Sequence, residues 1–299
     1  LALLLVLAGV VLAYYRVTER RIQGGSGPAD LARLAARRAP VWSKFDENGF
    51  EHMKPPVLGE WLYRFPEHGQ TFEEYTAGPV NKRRPGRETI YLRPLGPLSA
   101  RSREALASVA SFTRAFFQLE TKVLPEEPIF AEALVRERRG GDDQYDADAI
   151  VKRLIAERPD DAIVYAGVAD QDLFSDELNF VFGIGTFGER VGVYSFVRFA
   201  EGEGRASEKV YRRRAFQLVS HELGHIFTLH HCIFYMCEQN GSLSLYESDK
   251  SPSHACPVCL AKLEWNVGFD RKKRYADLAA VYRDEGLEEE AKFCEARSK

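Results

Sequence analysis

The chain has 299 residues, of which 28% are charged and 45% hydrophobic, and its formal net charge is -3 at pH 7. That length holds one substantial domain plus extensions. The near-balanced charge excludes a bulk nucleic-acid binder, and the absence of a repeat period or heptad run excludes solenoids and coiled coils.

Residues 1–13, LALLLVLAGVVLA, are apolar or small without interruption, and Tyr14, Tyr15 and Arg16 follow. Residues 1–15 read as an N-terminal hydrophobic anchor, although they are shorter than the ~20 residues that span a bilayer. A signal-peptide core or a buried helix are the alternatives. Arg16, Arg20, Arg21, Arg37 and Arg38 lie just beyond. By the positive-inside rule they place the rest of the chain on the cytoplasmic side of a membrane, with an exported domain as the alternative.

Residues 16–87 read as an irregular extension. A short basic helix is predicted over 27–39. Trp42, Trp61, Phe65 and Phe72 are expected to pack on the following domain, with substrate contact as the other option. From residue 88 the pattern alternates. A strand is predicted over 89–95. An amphipathic helix follows, carrying Ala105, Val109, Phe112, Phe116, Leu119 and Val123 and ended by Pro125. An acidic loop spans 140–148, as a solvated segment or a calcium ligand. A helix starts at 150–155 and stops at Pro159. Buried strands are predicted over 162–168 and 180–184, and 191–199 is β-rich. Asp170 and Asp172 read as loop and cap residues. Strands alternating with helices predict an α/β fold with a mostly parallel, twisted sheet and helices on its faces. Two short helices close the chain at 271–285 and 287–296, divided by Gly286, and are expected to brace the cysteine-rich segment before them.

The chemistry concentrates in His221-Glu-Leu-Gly-His225. Phe216, Val219, Leu223, Ile226 and Phe227 form an apolar stripe at helical period. The two histidines fall opposite it, one turn apart, with Cβ atoms roughly 6 Å from each other. That separation suits two imidazoles converging on one tetrahedral zinc. Glu222 is angled away from such a metal yet can reach a water upon it. His231 is a candidate third ligand, with His230 as a substitute. In an unbroken helix position 231 would sit about 240° round the axis and roughly 9 Å further along. The helix must therefore end near Thr228 and the chain turn back. Glycine would do this most cheaply. With threonine, either the turn takes another form, or Thr228 is strained, or the site is imperfect.

Cys232 and Cys237 form a C-x4-C pair, and Cys256 and Cys259 a C-x2-C pair. Such spacings read as a four-thiolate structural zinc site, the alternative being disulfides in an oxidising compartment. His254 reads as a loop histidine, or a spare ligand. Cys294 reads as a thiol without a role.

His221-Glu222-x-x-His225-x-x-Thr228-x-x-His231-Cys232-x4-Cys237, then Asn-Gly-Ser, then Cys256-x2-Cys259, resembles the archaemetzincins, zinc metallopeptidases of the metzincin group. The likeness is sharpest over 215–265 and extends more loosely back to about residue 88. It implies a metzincin-like sheet with an active-site helix (88–231) and a small cysteine-rich zinc subdomain with C-terminal helices (232–299). It implies two zinc ions: a catalytic one on His221, His225 and His231, and a second on Cys232, Cys237, Cys256 and Cys259. It implies Glu222 as general base in hydrolysing a peptide or protein substrate, and 191–199 as the candidate edge strand that holds the peptide extended, the alternative being an ordinary central strand. Two positions depart from the family pattern. Its glycine is Thr228 here, and its methionine two residues past the second cysteine is Gln239. These departures keep open an alternative, a catalytically weak or inactive zinc-stabilised peptide-binding relative.

Overall fold

The computed structural model describes residues 27–45, 47–130, 135–136, 143–175, 180–200 and 207–299. In chain order the elements are helices α1 (Pro28–Phe45), α2 (Trp61–Arg64) and α3 (Phe72–Ala77), strand β1 (Thr89–Gly96) and helix α4 (Ala100–Phe117). Strands β2 (Thr121–Val123), β3 (Glu127–Pro128), β4 (Val135–Arg136) and β5 (Gln144–Asp146) lead to helix α5 (Ala147–Glu157). Then come strands β6 (Ala162–Ala169), β7 (Asp172–Phe174), β8 (Gly183–Gly185) and β9 (Val191–Ser195). Helices α6 (Glu208–Ile226), α7 (Leu245–Ser248), α8 (Pro257–Val267), α9 (Arg271–Asp284) and α10 (Glu288–Glu295) complete the chain. The described residues divide into two compact units: those up to Glu74 with His230–Cys259, and those of Tyr75–Leu229 with Leu260–Lys299.

The larger unit is built on a sheet of order β2-β1-β6-β9-β8, with β3 also pairing β1. β1, β2, β3, β6 and β9 pair in parallel, and only β8 runs antiparallel, against β9. The fold is therefore α/β with a mostly parallel sheet. β6 is buried at every position, which explains why its sequence AIVYAGVA is an apolar run without alternation. On one face Ile150, Val151 and Leu154 of α5 pack against Tyr165, Val191 and Val193. Elsewhere in the unit α4 meets α6 through stacked Phe112 and Phe216 rings, 4.4 Å apart. Each such ring buried contributes ~1.5–3 kcal/mol.

Helix α4 starts at Ser99, whose side chain accepts from the Ser102 N–H, and stops at Gln118 in the left-handed region (φ 53°). The expected helix thus ends earlier than its apolar stripe. Residues 121–123 leave it to pair with β1, as their β-branched Thr and Val favour. The closing helices α9 and α10 fall where predicted, but α9 packs on α4. Arg274, almost fully buried, donates from Nε to the Phe116 carbonyl at 2.6 Å, and Tyr282 lies against Phe112 and Phe216. The tail thus braces the helical layer of its own unit; its apolar stripe gave no clue to which surface it would cover. Asp172 departs from its reading as a cap residue: it lies in β7 and pairs with Arg198 at 2.6 Å, where both side chains are largely buried. Asp170 does hold a helix start, accepting from the Ser99 N–H and the Ser102 hydroxyl. Residues 140–142 of the acidic loop lie outside the described residues, and Asp146 caps α5.

In the smaller unit α1 is longer than the predicted basic helix and packs on the cysteine-rich segment. Buried Arg38 donates from Nε to the Ile233 carbonyl at 2.6 Å and from Nη1 to the Met53 and Lys54 carbonyls. Trp42 donates to the Phe234 carbonyl and stacks on His52. This corrects the membrane reading. Of the arginines read as a charge flank, Arg37 pairs with Glu74 and Arg38 holds main-chain carbonyls. Among the described residues no helix is long and apolar enough to cross a membrane, which overturns the expected membrane anchor and its cytoplasmic orientation. Residues 1–15 themselves lie outside the described residues.

Candidate metal centres

Helix α6 carries the HExxH segment as the apolar stripe requires. Phe216, Val219, Leu223 and Ile226 are fully buried, and the Ser207 hydroxyl caps the N-terminus. The helix ends at Phe227 in a Schellman turn: the Leu229 N–H bonds the Gly224 carbonyl at 2.9 Å and the Thr228 N–H bonds the His225 carbonyl at 2.8 Å. The residue that turns the chain is Thr228, at φ 70°. Of the three alternatives, the strained one is realised. A β-branched residue there costs ~1–2 kcal/mol. The site offsets part of this, because Thr228 Oγ1 accepts from the Asn81 N–H at 3.0 Å.

Asn81 does more. Its Nδ2 donates to the Ile226 carbonyl, an orphan of the helix end, and to the Ile163 carbonyl. Tyr75 donates from its hydroxyl to the Phe227 carbonyl at 2.8 Å, and Asn266 donates to both Tyr75 and the Asn81 carbonyl. Residues far apart in sequence thus fix the turn, and no spacing rule pointed to them. Replacing Thr228 by glycine relieves the strain but leaves a buried N–H without its acceptor, so its stability is expected to stay within about 1 kcal/mol of the parent. Thr228→Val keeps the strain and loses the bond, and should cost about 1–3 kcal/mol. Urea unfolding of both variants checks the order; a T228G loss exceeding that of T228V would refute this account of the turn.

The turn brings the three predicted histidines together. One ligand atom each from His221, His225 and His231 lie within 4.8 Å of one another. His221 Nε2 and His225 Nε2 are 3.1 Å apart with perpendicular rings, near the ~3.3 Å that two imidazoles on one tetrahedral zinc would show. His225 Nδ1 lies 2.8 Å from the Leu229 carbonyl oxygen. That oxygen can only accept, so Nδ1 carries the proton and Nε2 offers its lone pair. His231 Nδ1 lies 3.0 Å from both carboxylate oxygens of Glu67. Burial alone would raise the Glu67 pKa, but the charge and hydrogen bond of His231 and the Trp61 N–H outweigh it and hold that carboxyl below its ordinary value. His230 is not part of the group; its main-chain N–H faces Gln70 Oε1.

Glu222 is largely buried on α6. Burial first, and then the Glu222 charge, push the Tyr194 phenol far above its ordinary value. The neighbouring strand β8 comes very close. A Cβ on Gly183 would lie 3.1 Å from Glu222 Cγ, and one on Gly185 only 2.8 Å from the Glu222 carbonyl oxygen. At Gly185 strand and helix main chains meet, whereas at Gly183 a Cβ would first strike β9, 2.8 Å from Tyr194 Cβ and 2.9 Å from the Val193 carbonyl oxygen. Gly185→Val should therefore cost about 1–3 kcal/mol through overpacking, measured by thermal unfolding; a neutral result would mean that β8 can lift away from α6.

The four predicted cysteines also converge. Their sulfurs lie within 4.8 Å of one another, all buried, and none is in a disulfide. Cys232 Sγ and Cys256 Sγ are 3.6 Å apart. That is far beyond a disulfide bond of ~2.05 Å and close to the ~3.8 Å edge of a tetrahedral zinc–thiolate site. Burial, and then the neighbouring sulfurs, push the Cys237 and Cys256 thiols well above their usual value. A donor set of this kind becomes fully thiolate only around a cation. Asn240, in the Asn-Gly-Ser run, ties the loop: its Oδ1 accepts from the Cys237 N–H and its Nδ2 donates to the Cys232 and Tyr235 carbonyls. Cys259 sits in the first turn of α8, which Pro257 opens at a position where no N–H is needed. His254 belongs to neither group and meets Phe50 edge-on. Cys294 is buried, its thiol pushed up to about 12 by burial. Gln239, in the place of the family methionine, is fully buried, and its carbonyl accepts from the Cys232 N–H.

Comparison with known proteins agrees with this geometry. A family model described as Peptidase family M54 matches residues 123–265. Archaemetzincin-2 of Pongo abelii is 31% identical over 262 residues, covering 76% of this chain and 72% of that protein. Archaemetzincin-2 of Homo sapiens is 30% identical over 261 residues, with the same coverage of both chains. Among solved structures, archaemetzincin from Methanopyrus kandleri superposes with a TM-score of 0.53 at 25% identity, covering 62% of this chain and 99% of that one. By these likenesses, the chain belongs to the archaemetzincin family of zinc metallopeptidases.

Proposed function

We propose that the chain hydrolyses peptide bonds at a zinc held by His221, His225 and His231, with Glu222 as general base, and that a second zinc held by Cys232, Cys237, Cys256 and Cys259 is structural. The convergence of the three imidazoles beside a buried carboxylate carries this reading. The donor types fit: neutral imidazoles leave the ion its full charge and an open position, whereas four thiolates close the coordination shell. When bound, the histidine-site zinc supplies Lewis acidity, which acidifies water and polarises a carbonyl.

The protein residues do the rest. Glu222 accepts the proton of the attacking water and passes it to the leaving amine, so no covalent intermediate and no nucleophilic Ser or Cys is required. His225, with Nδ1–H held by the Leu229 carbonyl, keeps its lone pair on Nε2. The substrate strand differs from the sequence expectation. β9 lies between β6 and β8 and has no free edge; among the described residues β8 forms the sheet edge. The long β-branched run of 191–199 marks a strand buried by neighbours on both sides, and only 191–195 of it is strand. We assign the peptide-holding role to β8, whose outer main-chain groups can pair with an extended substrate without demanding particular side chains.

Cleavage of a peptide library by the zinc-loaded full chain, read by mass spectrometry against a Glu222→Ala control, tests the assignment. Products that appear with the parent and vanish with the control are expected. Cleavage by both, or by neither, rejects it.

A further inference from the structure

We infer that Glu67 is the positioning residue for His231, fixing the tautomer and aim of the third imidazole. This rests on the zinc reading above. His221 and His225 ride on one helix, which sets their spacing. His231 lies beyond the helix in irregular chain, so helical spacing does not set its ring. Glu67 supplies the constraint from a segment 164 positions away, outside the residues matched by the family model.

Both Glu67 oxygens lie 3.0 Å from His231 Nδ1, and both side chains are mostly buried, 17% exposed for the histidine and 13% for the glutamate. A carboxylate can only accept, so Nδ1 is the protonated nitrogen and Nε2 is the one with a lone pair for a metal. Negative charge on Nδ1–H also makes Nε2 a better donor. The carboxylate is itself held. Trp61 donates from Nε1 to Glu67 Oε1 at 3.1 Å, while its ring meets His231 edge-on with centroids 5.1 Å apart. Trp61 in turn is fixed by its N–H on Glu247 Oε1 at 2.7 Å, and it sits so tightly over Gly241 that a Cβ there would come 2.5 Å from its Cδ1. A chain of contacts thus runs from Glu247 through Trp61 and Glu67 to the imidazole. Loss of a carboxylate that orients a metal-binding histidine commonly weakens metal affinity by about 10–100-fold.

The test uses the full chain with Glu67→Ala and Glu67→Gln, beside His231→Ala. Cobalt(II) reports the two sites separately, because thiolate coordination gives strong charge-transfer absorption and imidazole coordination only weak visible bands. Zinc affinity is read by chelator competition, and the His231 tautomer of the metal-free protein by nitrogen-15 NMR. For Glu67→Ala the expected result is an affinity loss of about 10–100-fold confined to the histidine site, and a His231 signal moved from Nδ1–H towards a tautomer mixture. Glu67→Gln, which keeps an acceptor oxygen, should restore the tautomer and part of the affinity. Parent-like affinity and tautomer in Glu67→Ala would overturn the inference, and so would an equal loss at both sites. If the parent binds no metal at the histidine site, the zinc reading fails, while the tautomer measurement still decides the role of Glu67.

Discussion

Glu222→Ala is expected to lower the rate of peptide hydrolysis by about 10²–10⁴-fold while leaving zinc content unchanged. Glu222 is not in the histidine group that could hold a metal, so its removal spares the ligand set. It lies on a well-packed stretch of α6 between buried Phe216, Val219, Leu223 and Ile226, so the helix should persist with a small void beside Gly183. The rate loss should therefore fall on kcat more than on KM, because the carboxylate acts on a proton in flight rather than on the bound ground state. Glu222→Asp withdraws the carboxylate by about one methylene and should retain an intermediate rate. Steady-state kinetics with zinc measured by mass spectrometry settle the point: a kcat within twofold of the parent removes Glu222 from the mechanism. The alternative, a zinc-stabilised peptide binder, would instead show no turnover in the parent and undiminished peptide affinity in the variant.

The second large effect is expected at the cysteine cluster. Cys256→Ser should lose one equivalent of zinc and release the 232–259 segment together with α1. The reason is that a loop of irregular chain here is tied by Asn240, Arg38 and Trp42, which donate to main-chain carbonyls. Four buried thiols without a cation are costly, whereas a structural zinc contributes folding free energy of about 10–16 kcal/mol in small zinc domains. Even a fraction of that is comparable with the ~5–15 kcal/mol of net stability available to a domain. Hydrogen exchange should show lost protection in residues 230–259 and retained protection in β1, β6 and β9. Parent-like zinc stoichiometry and exchange in the serine variant would remove the structural role from this cluster.

Much of the site was legible because its logic is local. The i, i+4 histidines, the apolar stripe beneath them and the C-x2-C pair each need only a few consecutive residues, and the candidates gather into one group of three histidines and another of four cysteines. The need for a turn at Thr228 was also readable, since helical geometry cannot otherwise bring position 231 round. What made the turn possible was not readable. Asn81, Tyr75 and Asn266 act through side chains that meet only in the folded chain, and Glu67 leaves no periodic trace. The sheet edge was misread for a different reason. The run at 191–199 is β-rich, but such a run fits the interior of the sheet, while among the described residues the edge is Gly183-Ile184-Gly185. The helix α8 was overlooked because its start coincides with the zinc knuckle. The anchor reading fell on residues outside the described ones, and no described helix is long and apolar enough to cross a membrane.

The contact between β8 and α6 constrains how this cleft could be altered. Because positions 183 and 185 admit no side chain, diversification of peptide preference is barred from the very strand assigned to grip the backbone. Variation must enter through neighbours that still have room, such as the partly exposed Phe187 ring beside His225. Directed evolution of selectivity would be best aimed there, with the two glycines left untouched as a fixed gauge of depth.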